Sequence, residues 1–247
     1  MIRSNAPMKF AGSFLGDTRH ICAFFASPDD EYRTILPFIR DGLAAGDRLV
    51  YVVPQDRKDN AERLRAGGVD VDSARKNHQL ETLLSENTYN RGGRFDQEAM
   101  LELVQQVLKA GRDLGFPLTR LVAHAEHITQ DIDGANSFVE YESKLNYVLP
   151  DYPDTVVCTY DLNRVNAGVA MDVMRTHPMV IIGGILQENP FYVPPDEFLR
   201  EMGERRSKRN EAADSHSRSS KSRARDSHRR PTFGRDSYGD DSHGRRA

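Results

Sequence analysis

The sequence lacks several features that whole classes of protein require. Its 247 residues include no Trp, only two Cys, and no apolar run near the ~18–20 residues that a membrane-spanning helix needs. Residues 1–10 contain no apolar stretch of secretory length, and two cysteines cannot form a disulfide framework. No fixed repeat or sustained heptad is present, which excludes solenoids and coiled coils. These absences predict a protein of the reducing cytoplasm without a membrane span.

The net charge of −3 hides an uneven distribution of charge. Residues 205–247 hold 13 Lys and Arg against 6 Asp and Glu, a balance of +7, which leaves −10 for residues 1–204. The basic segment is rich in Ser and Arg and has few apolar residues, so it cannot bury enough surface to offset the entropy of ordering. We predict a disordered tail over residues 204–247, which either solubilises the chain or contacts nucleic acid, anionic lipid or the acidic body.

The acidic body alternates short apolar runs with amphipathic helical patterns, which is typical of an α/β domain with a mostly parallel sheet. The apolar runs lack strict alternation, as expected when helices cover both faces of the sheet. Strands are predicted at residues 20–25, 48–53, 79–84, 120–124, 156–160 and 179–182. Helices are predicted from about Pro28, Asp59, Asp96, Ser137, Ala167 and Pro195. Pro37 should kink or split the first helix, and Gly203 should end the last one.

Open parallel sheets bind their ligands beyond the carboxyl ends of the strands. Three groups of polar residues follow predicted strands, and they are Ser27, Asp29 and Asp30, then His124, Glu126 and His127, then Tyr160, Asp161 and Arg164. If these groups converge, they form a polar pocket above buried apolar strands.

The loop after the first strand, where many α/β folds hold a phosphate, has the wrong composition for that task. Its residues 26–31 read Ala-Ser-Pro-Asp-Asp-Glu, without the glycines and lysine of G-x-x-x-x-G-K-[ST]. Pro28 has no amide hydrogen, and three carboxylates repel phosphate. The sequence therefore disfavours ATP binding here, and we expect no cofactor.

The run from His124 to His127 contains two histidines and a carboxylate, which could bind zinc or iron. The helical H-x-x-x-H spacing is missing, however, and no CxxC supports a metal site. We therefore favour a ligand-facing pair of His124 and Glu126 and leave metal binding open. Cys22 and Cys158 lie in predicted strands, where buried thiols usually act as small apolar side chains. They can face each other only if their strands are neighbours.

Seven blocks of the sequence, in their order, carry a family resemblance: residues 20–25, 38–43, 93–96, 140–142, 157–161, 176–184 and 188–195. Together they resemble the MEDS domain, the methanogen/methylotroph, DcmR-like sensory domain, over about residues 19–202. The resemblance implies a three-layer sheet similar to a degenerate RecA/KaiC-like fold that has lost its phosphate loop. By matching blocks, it also implies ligand contacts by His20, Cys22, His124, Glu126, Cys158, Asp161 and His177.

The resemblance further implies a cytoplasmic sensor of a small molecule, such as a hydrocarbon or C1 derivative, and not an enzyme. The predicted organisation is an N-terminal extension (1–18), a sensory domain (19–203) and the tail (204–247). No kinase fits beyond residue 203 and no helix-turn-helix fits before His20, so the signal should pass to a separate protein, such as a histidine kinase or anti-sigma-type regulator, or through the tail. The predicted ligand-binding residues are His20, Cys22, Ser27, His124, Glu126, Cys158, Tyr160, Asp161 and His177.

Two alternatives stay open at this point. The protein could associate with nucleic acid or another partner mainly through its basic tail, in which case binding must weaken steeply with salt. It could also be a small-molecule enzyme that uses His124 and Glu126 as acid and base.

Overall fold

The computed structural model describes residues 8–54, 60–88, 95–125 and 132–227. Its internal contacts divide the chain into two units, Met1–Met202 and Gly203–Ala247. The first unit contains a seven-stranded sheet, and helices pack on both of its faces. The predicted fold class, a three-layer α/β domain with a mostly parallel sheet, is therefore confirmed.

The described strands are β1 (Met8–Phe10), β2 (Ser13–Leu15), β3 (His20–Phe25), β4 (Arg48–Val53), β5 (Leu80–Leu84), β6 (Thr119–His124), β7 (Thr155–Asp161), β8 (Met179–Ile182) and β9 (Ile185–Glu188). The large sheet has the order β5-β4-β6-β7-β3-β8-β9. Among its described strands, only β9 runs antiparallel to its neighbour, and the other pairs are parallel. β1 and β2 form a separate hairpin.

The described α-helices are α1 (Pro28–Ala44), α2 (Asn60–Ala66), α3 (Val71–Lys76), α4 (Ser85–Thr88), α5 (Gln97–Asp113), α6 (Ile132–Val148), α7 (Ala167–Thr176) and α8 (Pro195–Ser227). The first residues of α1 and α5 were predicted from their capping residues and are confirmed. Ser27 Oγ accepts a hydrogen bond from the Asp30 amide, and the Asp96 side chain accepts one from the Ala99 amide. None of the helices in the described ranges is both long enough and apolar enough to cross a bilayer.

Successive residues of each strand face opposite sides of the sheet, which divides the core in two. Cys22 and Phe24 face a layer that contains α5, α6 and α7, which we call the α6 face. Ile21 and Phe25 face a layer that contains α1, α2 and α3, which we call the α1 face. The parity of a residue in its strand therefore decides which helices its side chain meets.

The structure adds two short helices that were not predicted, α3 and α4, and differs from the prediction at three others. Pro37 does not split α1, because Ile35 before it and Phe38 and Ile39 after it are buried and hold the helix against the sheet. α6 begins five residues before Ser137, since packing of its first turns overrides the weak helix propensity of Gly134.

α8 does not end at Gly203 but continues to Ser227. A single glycine costs a helix only about 1 kcal/mol, and the residues after it are mostly good helix formers. Residues 204–227 are thus helical, whereas the sequence predicts a disordered tail there. Residues 228–247 lie outside the described part of the chain.

Candidate functional site

Two groups of buried polar side chains lie on opposite faces of the sheet. On the α6 face, the first group, which we call the buried tetrad, consists of His20, Glu142, Cys158 and His177. On the α1 face, the second group, which we call the Glu31 triad, consists of Glu31, Tyr51 and His124.

Strand pairing brings three members of the tetrad together. Cys22 lies opposite Cys158 in the register of β3 and β7, and His20 lies opposite Val156. His20 and Cys158 are therefore diagonal neighbours on one face of two adjacent strands. His177 comes just before β8, which pairs with the other edge of β3. Residues distant in sequence thus meet because β3 lies between β7 and β8.

Glu142 enters this cluster from α6. One stripe of buried side chains runs along α6 and into the residue that follows it. Its members, at intervals of four, three and four residues, are Phe138, Glu142, Leu145 and Leu149. A carboxylate in the apolar stripe of a helix must find hydrogen-bond donors or a positive charge within the core.

The partners of the Glu142 carboxylate come from the sheet and from the residue before β8. Its Oε2 atom lies 3.3 Å from His20 Nε2 and 3.4 Å from His177 Nε2. The Cys158 thiol donates to the same oxygen at a sulfur–oxygen distance of 3.6 Å. The Tyr160 hydroxyl donates to the other oxygen, Oε1, at 3.1 Å. Two imidazoles, a thiol and a tyrosine hydroxyl therefore surround one buried carboxylate.

The ring of His20 is oriented by Asn146. Its Nδ1 atom lies 3.0 Å from Asn146 Oδ1. The Asn146 amide nitrogen donates to the carbonyls of Ser143 and Thr176 at 3.1 and 2.8 Å, which turns the amide oxygen toward His20. His20 therefore donates from Nδ1, and in its neutral form Nε2 presents a lone pair to Glu142.

The ring of His177 is oriented by the end of α7. Its Nδ1 atom lies 2.8 Å from the carbonyl oxygen of Val173, which can only accept, so Nδ1 carries the proton. The two rings lie in contact, with centroids 4.0 Å apart and an angle of 38° between their planes. Neither Nε2 atom, in His20 or in His177, makes a well-formed hydrogen bond with any described residue, although both are close to Glu142.

Burial and charge shift the titration of this cluster in opposite directions. Burial lowers the pKa of His20, and His177 lowers it further. Burial acts to raise the pKa of Glu142, but hydrogen bonds and charge from His177 and His20, in the state in which these rings carry a proton on Nε2, outweigh it and lower the pKa to about 2. Burial and the Glu142 charge raise the pKa of both thiols, Cys22 and Cys158, well above the ordinary value.

The Glu31 triad lies at the carboxyl ends of β4 and β6, against the first turn of α1. His124 Nε2 is 3.0 Å from Glu31 Oε1, and the Tyr51 hydroxyl donates to the same oxygen at 3.3 Å. His124 Nε2 and the Tyr51 hydroxyl are 3.4 Å apart. All three side chains are buried. The carboxyl end of β6, at His124, is one of the three strand ends at which the sequence predicts ligand contacts.

The predicted ligand residues divide between these places. His20, Cys158 and His177 meet in the tetrad, and Tyr160 supports it. Cys22 lies beside the tetrad, with its thiol 3.7 Å from the Met179 carbonyl oxygen that accepts its hydrogen bond.

The remaining predicted residues do not join the tetrad. His124 belongs to the Glu31 triad, Ser27 caps α1, and Asp161 accepts a hydrogen bond from the Asn163 amide at 2.9 Å. Asn163 in turn donates to the Ala26 carbonyl at 2.7 Å, which joins the ends of β7 and β3. Glu126 lies outside the described residues.

Two central residues, Glu142 and Glu31, were not predicted as site residues. Glu142 falls within one of the blocks that carry the family resemblance, but no site role was predicted for it. Glu31 was counted with the carboxylates that repel phosphate. In both helices the carboxylate occupies a position of the apolar stripe, with Ile35 following Glu31 after one turn. A charged residue within such a stripe is the pattern that identifies both sites.

Comparison with known proteins gives three findings. The family model described as MEDS, the methanogen/methylotroph, DcmR sensory domain, matches residues 19–178. The transcriptional repressor DcmR of Methylorubrum extorquens is 27% identical over 178 residues, and the match covers 71% of this chain and 64% of the relative's length. A KaiC-like protein from Pyrococcus horikoshii OT3 superposes with a TM-score of 0.47 at 18% identity, over 66% of this chain and 69% of that one.

Proposed function

The chain belongs to the MEDS family of sensory domains, and from this premise we propose that it binds a small molecule and transmits the binding event to a separate partner. The match of the family model over residues 19–178 is the observation that carries the sensory role. The similarity to a transcriptional repressor supports a regulatory one.

We place the small-molecule site at the Glu31 triad and the adjoining strand ends. Buried donors and acceptors converge there at the carboxyl edge of the sheet, where open α/β sheets bind ligands. The first turn of α1 carries Pro28 and three acidic residues, which suit a small uncharged ligand better than a phosphate. A hydrocarbon or C1 derivative with one polar atom would match this chemistry.

The geometry offers a route from ligand to signal. Glu31 lies in the first turn of α1, while its two partners, Tyr51 and His124, lie on the sheet. A ligand that hydrogen-bonds His124 or Tyr51 competes directly with Glu31, so it changes how α1 is held. Such a ligand needs a difference of only ~1–3 kcal/mol in affinity between two states to act as a signal.

The partner and the location belong to the same proposal. We propose that the output controls transcription in the cytoplasm, through a separate histidine kinase or anti-sigma-type regulator, or through nucleic acid bound by the basic residues 205–247. A salt titration of the full chain against a 1–203 truncation separates the tail from the body as the binding element.

A thermal-shift screen of C1 compounds, small hydrocarbon derivatives and common metabolites tests the sensory proposal. At a concentration of about 100 times Kd, a ligand stabilises the fold by ~2.7 kcal/mol, which raises the Tm by roughly 5–10 °C. We expect His124→Gln to weaken the binding of a hit at least about tenfold, as the loss of one hydrogen bond to a buried group would. His78→Asn, at an exposed histidine, should leave it unchanged.

Two outcomes count against the proposal. If no compound in the screen raises the Tm of the wild-type chain, small-molecule sensing is wrong. If a hit binds equally well to wild type and His124→Gln, the ligand site is not at the Glu31 triad.

A further inference from the structure

Three electron-rich atoms converge at the centre of the buried tetrad. Both imidazoles commit Nδ1 to an acceptor, His20 to Asn146 and His177 to Val173. Their Nε2 lone pairs then point at Glu142 Oε2, which is itself an acceptor. Acceptors that face one another in a buried site repel unless a proton or a cation lies between them.

We propose that the tetrad is a binding site for a divalent transition-metal ion, with Zn²⁺ as the preferred ion. The ligand atoms are Nε2 of His20, Nε2 of His177, Oε2 of Glu142 and Sγ of Cys158, which lie within 4.8 Å of one another. Two imidazoles, one thiolate and one carboxylate form a ligand set that suits this borderline-soft ion. The proposal does not depend on the proposed sensory function.

Three of the six ligand–ligand distances, those from Glu142 Oε2, match a tetrahedral site. Zinc bonds of ~2.0–2.2 Å to N or O and ~2.3 Å to S place neighbouring ligands about 3.4 Å apart for N and O, and about 3.6 Å apart for O and S. In the structure, Glu142 Oε2 lies 3.3 and 3.4 Å from the Nε2 atoms of His20 and His177, and 3.6 Å from Cys158 Sγ. These three edges therefore need little adjustment when an ion binds.

The surrounding residues have the arrangement expected around a metal. Histidine ligands usually donate their second ring nitrogen to a carbonyl or carboxylate, as His20 does to Asn146 and His177 does to Val173. A ligating carboxylate is usually hydrogen-bonded as well, as Glu142 is to the Tyr160 hydroxyl. The ligands are thus oriented before any ion arrives.

The charges also balance. Zinc binding displaces the proton of the Cys158 thiol, so one H⁺ leaves for each ion bound, and the thiolate joins the Glu142 carboxylate. Two negative ligands then neutralise the two positive charges of the ion, and both histidines stay neutral. Four protein ligands in a buried position are typical of a structural zinc site rather than a catalytic one.

The experiment begins with the full chain as purified, without added metal. We expect close to one equivalent of zinc by elemental analysis. After chelation, cobalt should bind with a thiolate-to-cobalt charge-transfer band, and the release of about one proton per ion should appear in a weakly buffered solution. The chelator should lower the Tm, and zinc should restore it.

Matched variants locate the ion. Cys158→Ser should lose the charge-transfer band and weaken zinc binding by more than about 100-fold, the upper end of the loss seen when an outer partner of a metal site is removed. Cys22→Ala, on the neighbouring strand of the same face, should keep both the band and the affinity. Asn146→Ala should weaken zinc binding by roughly 10–100-fold through the orientation of His20.

Each result decides the question. Absence of a charge-transfer band together with a Tm that does not respond to zinc in the wild-type chain would overturn the proposal. Equal loss of metal in Cys158→Ser and Cys22→Ala would overturn the ligand assignment. Retention of metal in Cys158→Ser would place the ion elsewhere, for example at histidines of the tail. If Cys158→Ser does not fold, the spectrum, proton release and zinc-dependent Tm of wild type still decide.

Discussion

The two faces of the sheet bury the same kind of charge in two different ways. On each face a helix carries a glutamate in its apolar stripe, and the sheet supplies histidine and tyrosine partners. The tetrad adds a second imidazole and a thiol around one carboxylate oxygen. The Glu31 triad has one imidazole and a hydroxyl instead. The difference lies in the number and softness of the groups that surround the carboxylate.

That difference separates two possible uses of a buried carboxylate. Around Glu142, three further groups of metal-ligand type converge, and both histidine rings are held by outer partners. Around Glu31, the described partners include one histidine, at the strand ends where ligands approach an α/β sheet. The same charge-burying pattern therefore supports a metal site on one face and a small-molecule site on the other.

The largest contrast should come from removal of the two carboxylates. Glu142→Ala leaves the Cys158 thiol and the Tyr160 hydroxyl without their common acceptor and removes one ligand of the proposed ion, and we expect a loss of about 3–5 kcal/mol in the free energy of unfolding. Glu31→Ala should cost less, about 1–3 kcal/mol, since no proposed ion is lost with it. Urea denaturation at neutral pH measures both. A larger loss in Glu31→Ala would reverse the ranking of the two clusters.

The stability contributed by the Glu142 carboxylate should depend on pH in the acid range. The pKa of Glu142 is about 2 in the folded chain, below the ordinary 4.5, so its contribution is complete above pH 4.5 and is lost as pH falls from 4.5 toward 2. This contribution is on the order of 3 kcal/mol. In the presence of a chelator, the stability difference between wild type and Glu142→Gln should be smaller at pH 3 than at pH 5. A difference that is constant over this range would show that the carboxylate does not titrate as described.

The two tyrosines allow a finer comparison. Tyr160→Phe removes the hydroxyl that donates to Glu142, and Tyr51→Phe removes the one that donates to Glu31. We expect losses of about 1–2 kcal/mol and about 1 kcal/mol, respectively, because the bond to Glu142 is shorter and its carboxylate is less exposed. Thermal unfolding at neutral pH gives both values. Equal losses would mean that the hydroxyl contacts do not distinguish the faces.

The smallest effect concerns Ser27, which is both a predicted ligand residue and the cap of α1. If it acts as a cap, Ser27→Ala should cost about 1 kcal/mol, whereas Ser27→Asp should be nearly neutral because aspartate also caps. Ligand binding by a hit from the screen should be unaffected by Ser27→Asp once the Tm is matched. Loss of binding in Ser27→Asp would instead assign a ligand contact to this hydroxyl.

Local patterns made much of the fold predictable. The bounds of β3, β4 and β8 agree with the predicted runs, since each is a short apolar segment bounded by turn residues. β1, β2 and β9 were not predicted, because none of them contains a continuous apolar run like the four residues of β8. Each joins a neighbour through a tight turn, at Ala11 and Gly12 or at Gly183 and Gly184, where φ is positive.

The site was predictable only in part, because its assembly depends on strand order. His20, Cys158 and His177 were predicted individually as ligand contacts, but their meeting requires β3 to lie between β7 and β8. The rule that ligands bind at carboxyl strand ends led to His124 and away from the tetrad. His20 and His177 stand at amino ends of strands, so the rule could not group them with Cys158.

The carboxamide of Asn146 has a consequence for how the tetrad behaves as a unit. One side chain accepts from His20 and donates to the carbonyl just before His177, so it fastens a strand to the end of a neighbouring helix. A half-turn of that amide would exchange its oxygen and nitrogen and break every one of these contacts together. The orientation of the His20 ring is therefore coupled to the end of α7, from which His177 follows, through this one side chain.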